Sequence, residues 1–123
     1  MTPLAALLHE ITREITEALP EDVTVTMDAG EVRPALDADQ IVVWILPPSE
    51  VTRINPHIME VTWEPIVIGP TVGDPLAGLE EVEPPATLIA DLYEAETIRY
   101  DSIQIGNSDP FPAAQIIFTT TTR

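Results

Sequence analysis

The 123-residue chain has no cysteine, and all five of its basic residues are arginines, so it has no lysine either. The first absence excludes disulfides, thiolate nucleophiles and cysteine metal sites, and it leaves the redox compartment open. The second removes a P-loop lysine, a Schiff-base lysine, a lysine general base and any polybasic stretch for nucleic acid or anionic lipid. The five glycines never fall into the G-x-G-x-x-G spacing of a dinucleotide loop. Long apolar runs are missing too. The longest, Ile41 to Leu46, is six residues, against the roughly 20 that cross a bilayer. The N-terminal segment lacks both a basic n-region and an apolar stretch of export-signal length, so the sequence predicts neither a signal peptide nor a contact with membrane.

What is abundant is acid. Twenty-one Asp and Glu against five Arg give a net charge of −16, and such a chain is repelled by a phosphate backbone instead of releasing its counterions. Apolar residues make up 45%, which is globular and too rich for an acidic disordered tail. Length predicts one domain over residues 1–123, with about 6,500 Å² of folded surface. The excess charges then stand about 20 Å apart against a Debye length of about 8 Å, so self-repulsion is tolerable.

Thr2 and Pro3 form a helix start. Leu4, Leu7, Leu8, Ile11, Ile15, Ala18 and Leu19 fall within about 120° of the helical wheel, with His9, Glu10, Arg13, Thr16 and Glu17 opposite. Pro20 ends the helix near Leu19. The period then changes to two, and Val23, Val25 and Met27 alternate with Thr24 and Thr26 as in a half-buried strand. Residues 28–40, with Gly30, Pro34 and four acids, read as an irregular connection. Ile41 to Leu46 reads as a central strand covered on both faces and ended by Pro47-Pro48. Met59, Val61 and Trp63 share one side of a strand that continues through Ile66-Val67-Ile68, with a break or bulge at Pro65.

Residues 69–85 hold four prolines and three glycines and read as a long loop, with a helical turn begun at Asp74-Pro75. A second helix is predicted from Pro85, with Leu88, Ile89, Leu92 and Ala95 on its apolar face. Ile103 and Ile105 suggest a strand, residues 106–110 a turn, and residues 116–122 a terminal strand. The expected fold is therefore α+β, a mixed, mainly antiparallel sheet of about five strands with two helices packed on one face.

Candidate chemistry is sparse. His9-Glu10 begins the zinc-protease pattern, but Arg13 stands where the second imidazole is needed and His57 is the only other histidine. Arg13 instead lies within helical reach of Glu10, Glu14 and Glu17, as on a solvated face. Asp28, Glu31, Asp37 and Asp39, and likewise Glu80, Glu81 and Glu83, lack the spacing of a calcium loop and read as solvated charge. Ser49, Ser102 and Ser108, the only serines, are outside any G-x-S-x-G motif. Trp44 and Trp63 read as core residues on strand faces, or one of them as an interface anchor. Nothing in this inventory assigns a catalytic residue, a metal ligand or a cofactor, and no enzyme is expected.

The layout resembles the tail terminator, or tail completion, proteins of long-tailed bacteriophages. The likeness rests on the helix from Pro3 to Leu19, the Pro-Glu-Asp-Val-Thr-Val lead into the first strand, and the strand at Ile41 to Leu46. It continues with a second helix from Pro85 to Glu96, the Asp109-Pro110-Phe111-Pro112-Ala113-Ala114 turn and a Thr-rich last strand. This likeness covers nearly the whole chain but contains no sharp motif. It implies a virion structural protein, a homo-oligomer that forms a ring, commonly a hexamer. Such a ring caps the tail tube protein, stops its polymerisation and meets the head-tail connector. Its place is the virion tail, after assembly in the host cytoplasm.

Six copies at −16 each carry −96, so the acids must lie away from subunit contacts. An acidic lumen lets DNA pass without specific binding. In such an assembly the arginines are the natural clamps, because guanidinium pairs bidentately with carboxylate. Arg33 and Arg53, in predicted loops, are candidates for the subunit or tube interface, together with Asp37, Asp39, Asp74 and Glu80. Two rivals remain: another phage neck or connector protein, and an acidic DNA-mimic inhibitor. An enzyme would require a cleft with strongly perturbed carboxylates.

Overall fold

A computed structural model describes residues 1–122, and Arg123, one of the five arginines, lies outside them. Helix α1 (Pro3–Ala18) starts as expected, with the Ala5 N–H donating to Thr2 Oγ1 at 3.2 Å and proline in the first turn. Ile11, Ile15 and Leu19 are buried and Leu4, Leu7 and Leu8 pack beside them, whereas Ala18, at the end of the expected stripe, is exposed. Leu19 is already extended, because Pro20 disfavours helical geometry in its predecessor.

Strand β1 (Val23–Thr26) leads to helix α2 (Ala29–Asp37), which corrects the expected irregular connection over 28–40. Asp28 caps it by accepting the Gly30 N–H at 2.8 Å, and the Glu31 carboxylate accepts from Thr26 Oγ1 at 2.7 Å. Val32, Ala35 and Leu36 are its buried face. Pro34 sits inside the helix and forfeits one backbone donor. Packing of that i, i+3, i+4 triad outweighs the loss. The crossover lets β2 (Ile41–Trp44) run parallel to β1, Val23 facing Ile41 and Val25 facing Val43.

Strands β3 (Glu50–Asn55), β4 (Ile58–Trp63) and β5 (Ile66–Ile68) follow. Helix α3 (Pro75–Tyr93) comes next, then β6 (Thr97–Ile103) and β7 (Phe111–Thr122). Among the described residues, seven strands and three helices correct the expected five and two. β3 was not anticipated, β6 lies earlier than the Ile103–Ile105 signal, and β7 starts five residues before the expected 116. α3 begins at the Asp74-Pro75 signal, inside what reads as a loop, and runs through Pro84 and Pro85 to Tyr93. Its buried residues include Val82, Ala86, Ile89 and Ala90, while Leu88 and Leu92, expected on the apolar face, are each 43% exposed.

Against β7, Trp63 pairs with Phe118 and Ile66 with Gln115, so β4 and β5 keep one register across Pro65. The Ile116 N–H donates to the Pro65 carbonyl at 3.1 Å, so the strand breaks there without a bulge. The other edge of this long strand carries β2 and β3, separated by Pro47-Pro48, in antiparallel pairs. The sheet order is β1-β2-β5-β7-β4-β3, with β6 on the free side of β7. Among the described residues β1–β2 is the one parallel pair.

One sheet face, with Val43, Val61, Trp63, Val67, Ala114, Ile116 and Phe118, is covered by α1 and α3. α2 lies on the opposite face over Val42, Ile68 and Phe111, so the helices do not share one face as expected. β2 is thus covered on both sides, as its unbroken apolar run predicts.

Candidate functional site

Two surfaces at opposite ends of the sheet stand out. The first is the tip of the β3–β4 hairpin. Residues 52–57 are exposed throughout, and only Val51 and Met59 at its base pack on the core. Asn55 Oδ1 accepts the His57 N–H at 2.8 Å and the Ile58 N–H at 3.0 Å, which fixes the turn around Pro56. Ile54 is 57% exposed, and beside it Arg53 forms no ion pair among the described residues.

The second is a groove of about 480 Å³ between the N-terminal half of α3 and the β6–β7 pair. Leu79, Val82, Tyr100, Pro112 and Ala113 make its apolar lining, and Asp74 and Asp101 supply carboxylates. α3 can approach β7 this closely because Gly78 faces Pro112; a Cβ at Gly78 would lie 2.7 Å from Pro112 Cβ. The loop before α3 is held by Glu81, which accepts from the Thr71 N–H at 3.1 Å and from Thr71 Oγ1 at 2.7 Å. Tyr100, 45% exposed, has its phenol pKa raised by burial and then by the nearby Glu83 carboxylate. The groove therefore offers apolar contact beneath negative charge.

The six residues singled out from sequence do not form one cluster. Arg33 and Asp37 meet on α2, Nε donating to Asp37 Oδ1 at 2.9 Å. Arg33 Nη1 also donates to the Ile105 carbonyl at 2.9 Å, and the guanidinium lies 5.6 Å from the Phe111 ring centre. Arg33 is thus engaged within its own chain, on a helix and not in a loop. Arg53 is likewise not in a loop but on β3. Asp39 follows α2 in a left-handed conformation at φ 63°, Asp74 caps α3 by accepting the Ala77 N–H at 3.1 Å, and Glu80 is exposed on α3.

Arg13 pairs with Glu17 at 3.2 Å, while Glu14 accepts from the Tyr93 hydroxyl at 3.2 Å. Trp63 is buried and its Nε1 donates to Thr120 Oγ1 at 2.9 Å; Trp44 is half-buried on the α2 side. No three His, Asp or Glu side chains among the described residues are grouped to hold a metal ion. No helix among them is long and apolar enough to cross a membrane.

Sequence reasoning missed the groove, because its walls come from α3, β6 and β7, and the part of α3 that lines it, from Asp74 to Val82, reads as a loop. The signal for the tip was present. Residues 51–59 contain Arg53 and His57 but no acid. Compared with protein-family models, with curated proteins and with solved structures, the chain matches none.

Proposed function

We propose that this protein is a structural subunit that assembles into a ring, a hexamer, and completes the tail of a long-tailed bacteriophage. In this reading the ring caps the tail tube at its head-proximal end, stops tube polymerisation and offers the head connector a surface. It acts by shape and self-association, without a chemical step. The supporting observation is the hairpin arm: residues 52–57 are all exposed and are held only by pairing with β4, yet their turn is fixed by two hydrogen bonds. An ordered hairpin with an exposed isoleucine and an arginine that forms no ion pair among the described residues is the kind of feature that reaches a neighbour. The clamp role considered for Arg33 and Arg53 then falls to Arg53, since Arg33 is held by Asp37 and the Ile105 carbonyl.

The net charge of −16 suits the same reading. Acids carried on the outer and luminal surfaces keep passing DNA from adhering, because like-charge repulsion inside a channel is less screened than on an open surface.

Electron microscopy of the purified protein tests this reading. Class averages should show closed rings with six-fold symmetry around an open centre. Rings of another subunit number would place the chain among other neck proteins. Single compact particles that bind basic proteins in a salt-dependent way would instead favour a DNA mimic.

A further inference from the structure

The tip carries a cation and the groove lining carries two carboxylates, with exposed apolar side chains at both, and one copy cannot join them. At the tip end Met59 of β4 pairs with Thr122, whereas Pro112 and Ala113 of the groove lie near the start of β7. Nine residues of strand separate Ala113 from Thr122, roughly 30 Å at about 3.3 Å each. The tip carries a cation, an exposed isoleucine and no acid from residue 51 to 59. The groove is apolar, is flanked by Asp74 and Asp101, and has no basic residue in its lining.

We propose that the β3–β4 tip of one copy seats in the α3–β6 groove of a second copy, with Ile54 against Leu79 and Tyr100 and Arg53 directed to Asp101. The inference rests on the assembly reading above and adds which surfaces meet. Between two chains of charge −16, contact is least opposed where one partner presents its acid-free, cationic segment. The fixed turn lowers the ordering cost of docking, and the guanidinium gains paired hydrogen bonds to a carboxylate. Because tip and groove are different patches, the contact is heterologous and propagates around a ring when the rotation closes.

Native mass spectrometry of three purified proteins tests the contact. The first is the wild type, the second carries Arg53→Glu with Ile54→Asp, and the third carries Tyr100→Ala with Asp101→Arg. All four substituted positions are exposed, and circular dichroism verifies that the variants fold. The wild type should assemble and each variant alone should fall to monomer mass. An equal mixture of the two variants should give a one-to-one dimer and nothing larger, since only one tip and one groove remain intact in each pair. Exchanging charges in one chain, Arg53→Asp with Asp101→Arg, should restore assembly. Variants that keep the wild-type mass, or monomeric variants whose mixture stays monomeric, overturn this contact while leaving a wild-type ring standing. A wild type that is itself monomeric overturns the assembly reading as well.

Discussion

Tyr93 couples the two helices of the covered face. Its ring stacks on Phe118 with centres 4.1 Å apart and planes within 2°, and its hydroxyl donates to Glu14 on α1. Burial raises the phenol pKa most, and the Glu14 and Glu10 charges raise it further. A pKa higher in the folded than in the unfolded chain gives stability that is complete below the ordinary phenol value of 10.0 and is lost as pH rises above it. Urea unfolding between pH 8 and 12 should therefore show stability falling on the alkaline side, and Tyr93→Phe should flatten that fall. An equally steep decline in the variant would assign the effect elsewhere. Arg33 makes a second residue-scale case. Arg33→Ala removes a charge-assisted bond to a carbonyl, a cation–π contact and a half-exposed ion pair, and should cost about 1–2 kcal/mol. Its oligomeric mass should stay that of the wild type, unlike the tip variant.

The elements show why part of the fold is legible in the sequence and part is not. α1 and the β4–β5 strand were readable because cap, period and proline agree there, and Pro65 interrupts pairing without shifting register. α2 and the first half of α3 were not, because Pro34, Pro84 and Pro85 are breakers by local rule. Tertiary burial of Val32 and Leu36, and of Val82 and Ala86, overrode that rule. The signals that were present, Asp28 three residues before Glu31 and Asp74 before Pro75, are N-cap chemistry and outrank the prolines that follow. The candidate site is legible in the sequence only at Arg53 on the tip and Asp74 at the groove; the rest of the groove depends on Gly78 letting α3 touch Pro112. Gly78→Ala sets two effects against each other. Helix propensity favours alanine by about 1 kcal/mol. A Cβ placed 2.7 Å from a proline ring carbon forces a backbone shift, at about 1–3 kcal/mol. Crowding should win, so the variant should melt lower than the wild type; a higher melting temperature would show that the helix can move away from β7.

At the scale of the whole molecule, shape and charge point the same way. The accessible surface is 7134 Å², roughly a tenth above the ~6,500 Å² that size alone gives. Residues 52–57 of the hairpin tip are all exposed. No buried side-chain polar atom is left without a partner among the described residues, so the features that can engage a partner lie at the surface: the tip, the groove and an excess of carboxylates. Self-association is the property on which the proposed function depends. Sedimentation velocity of the wild-type protein over a hundredfold concentration range should give one discrete species several times the monomer mass. A monomer at every concentration would contradict it.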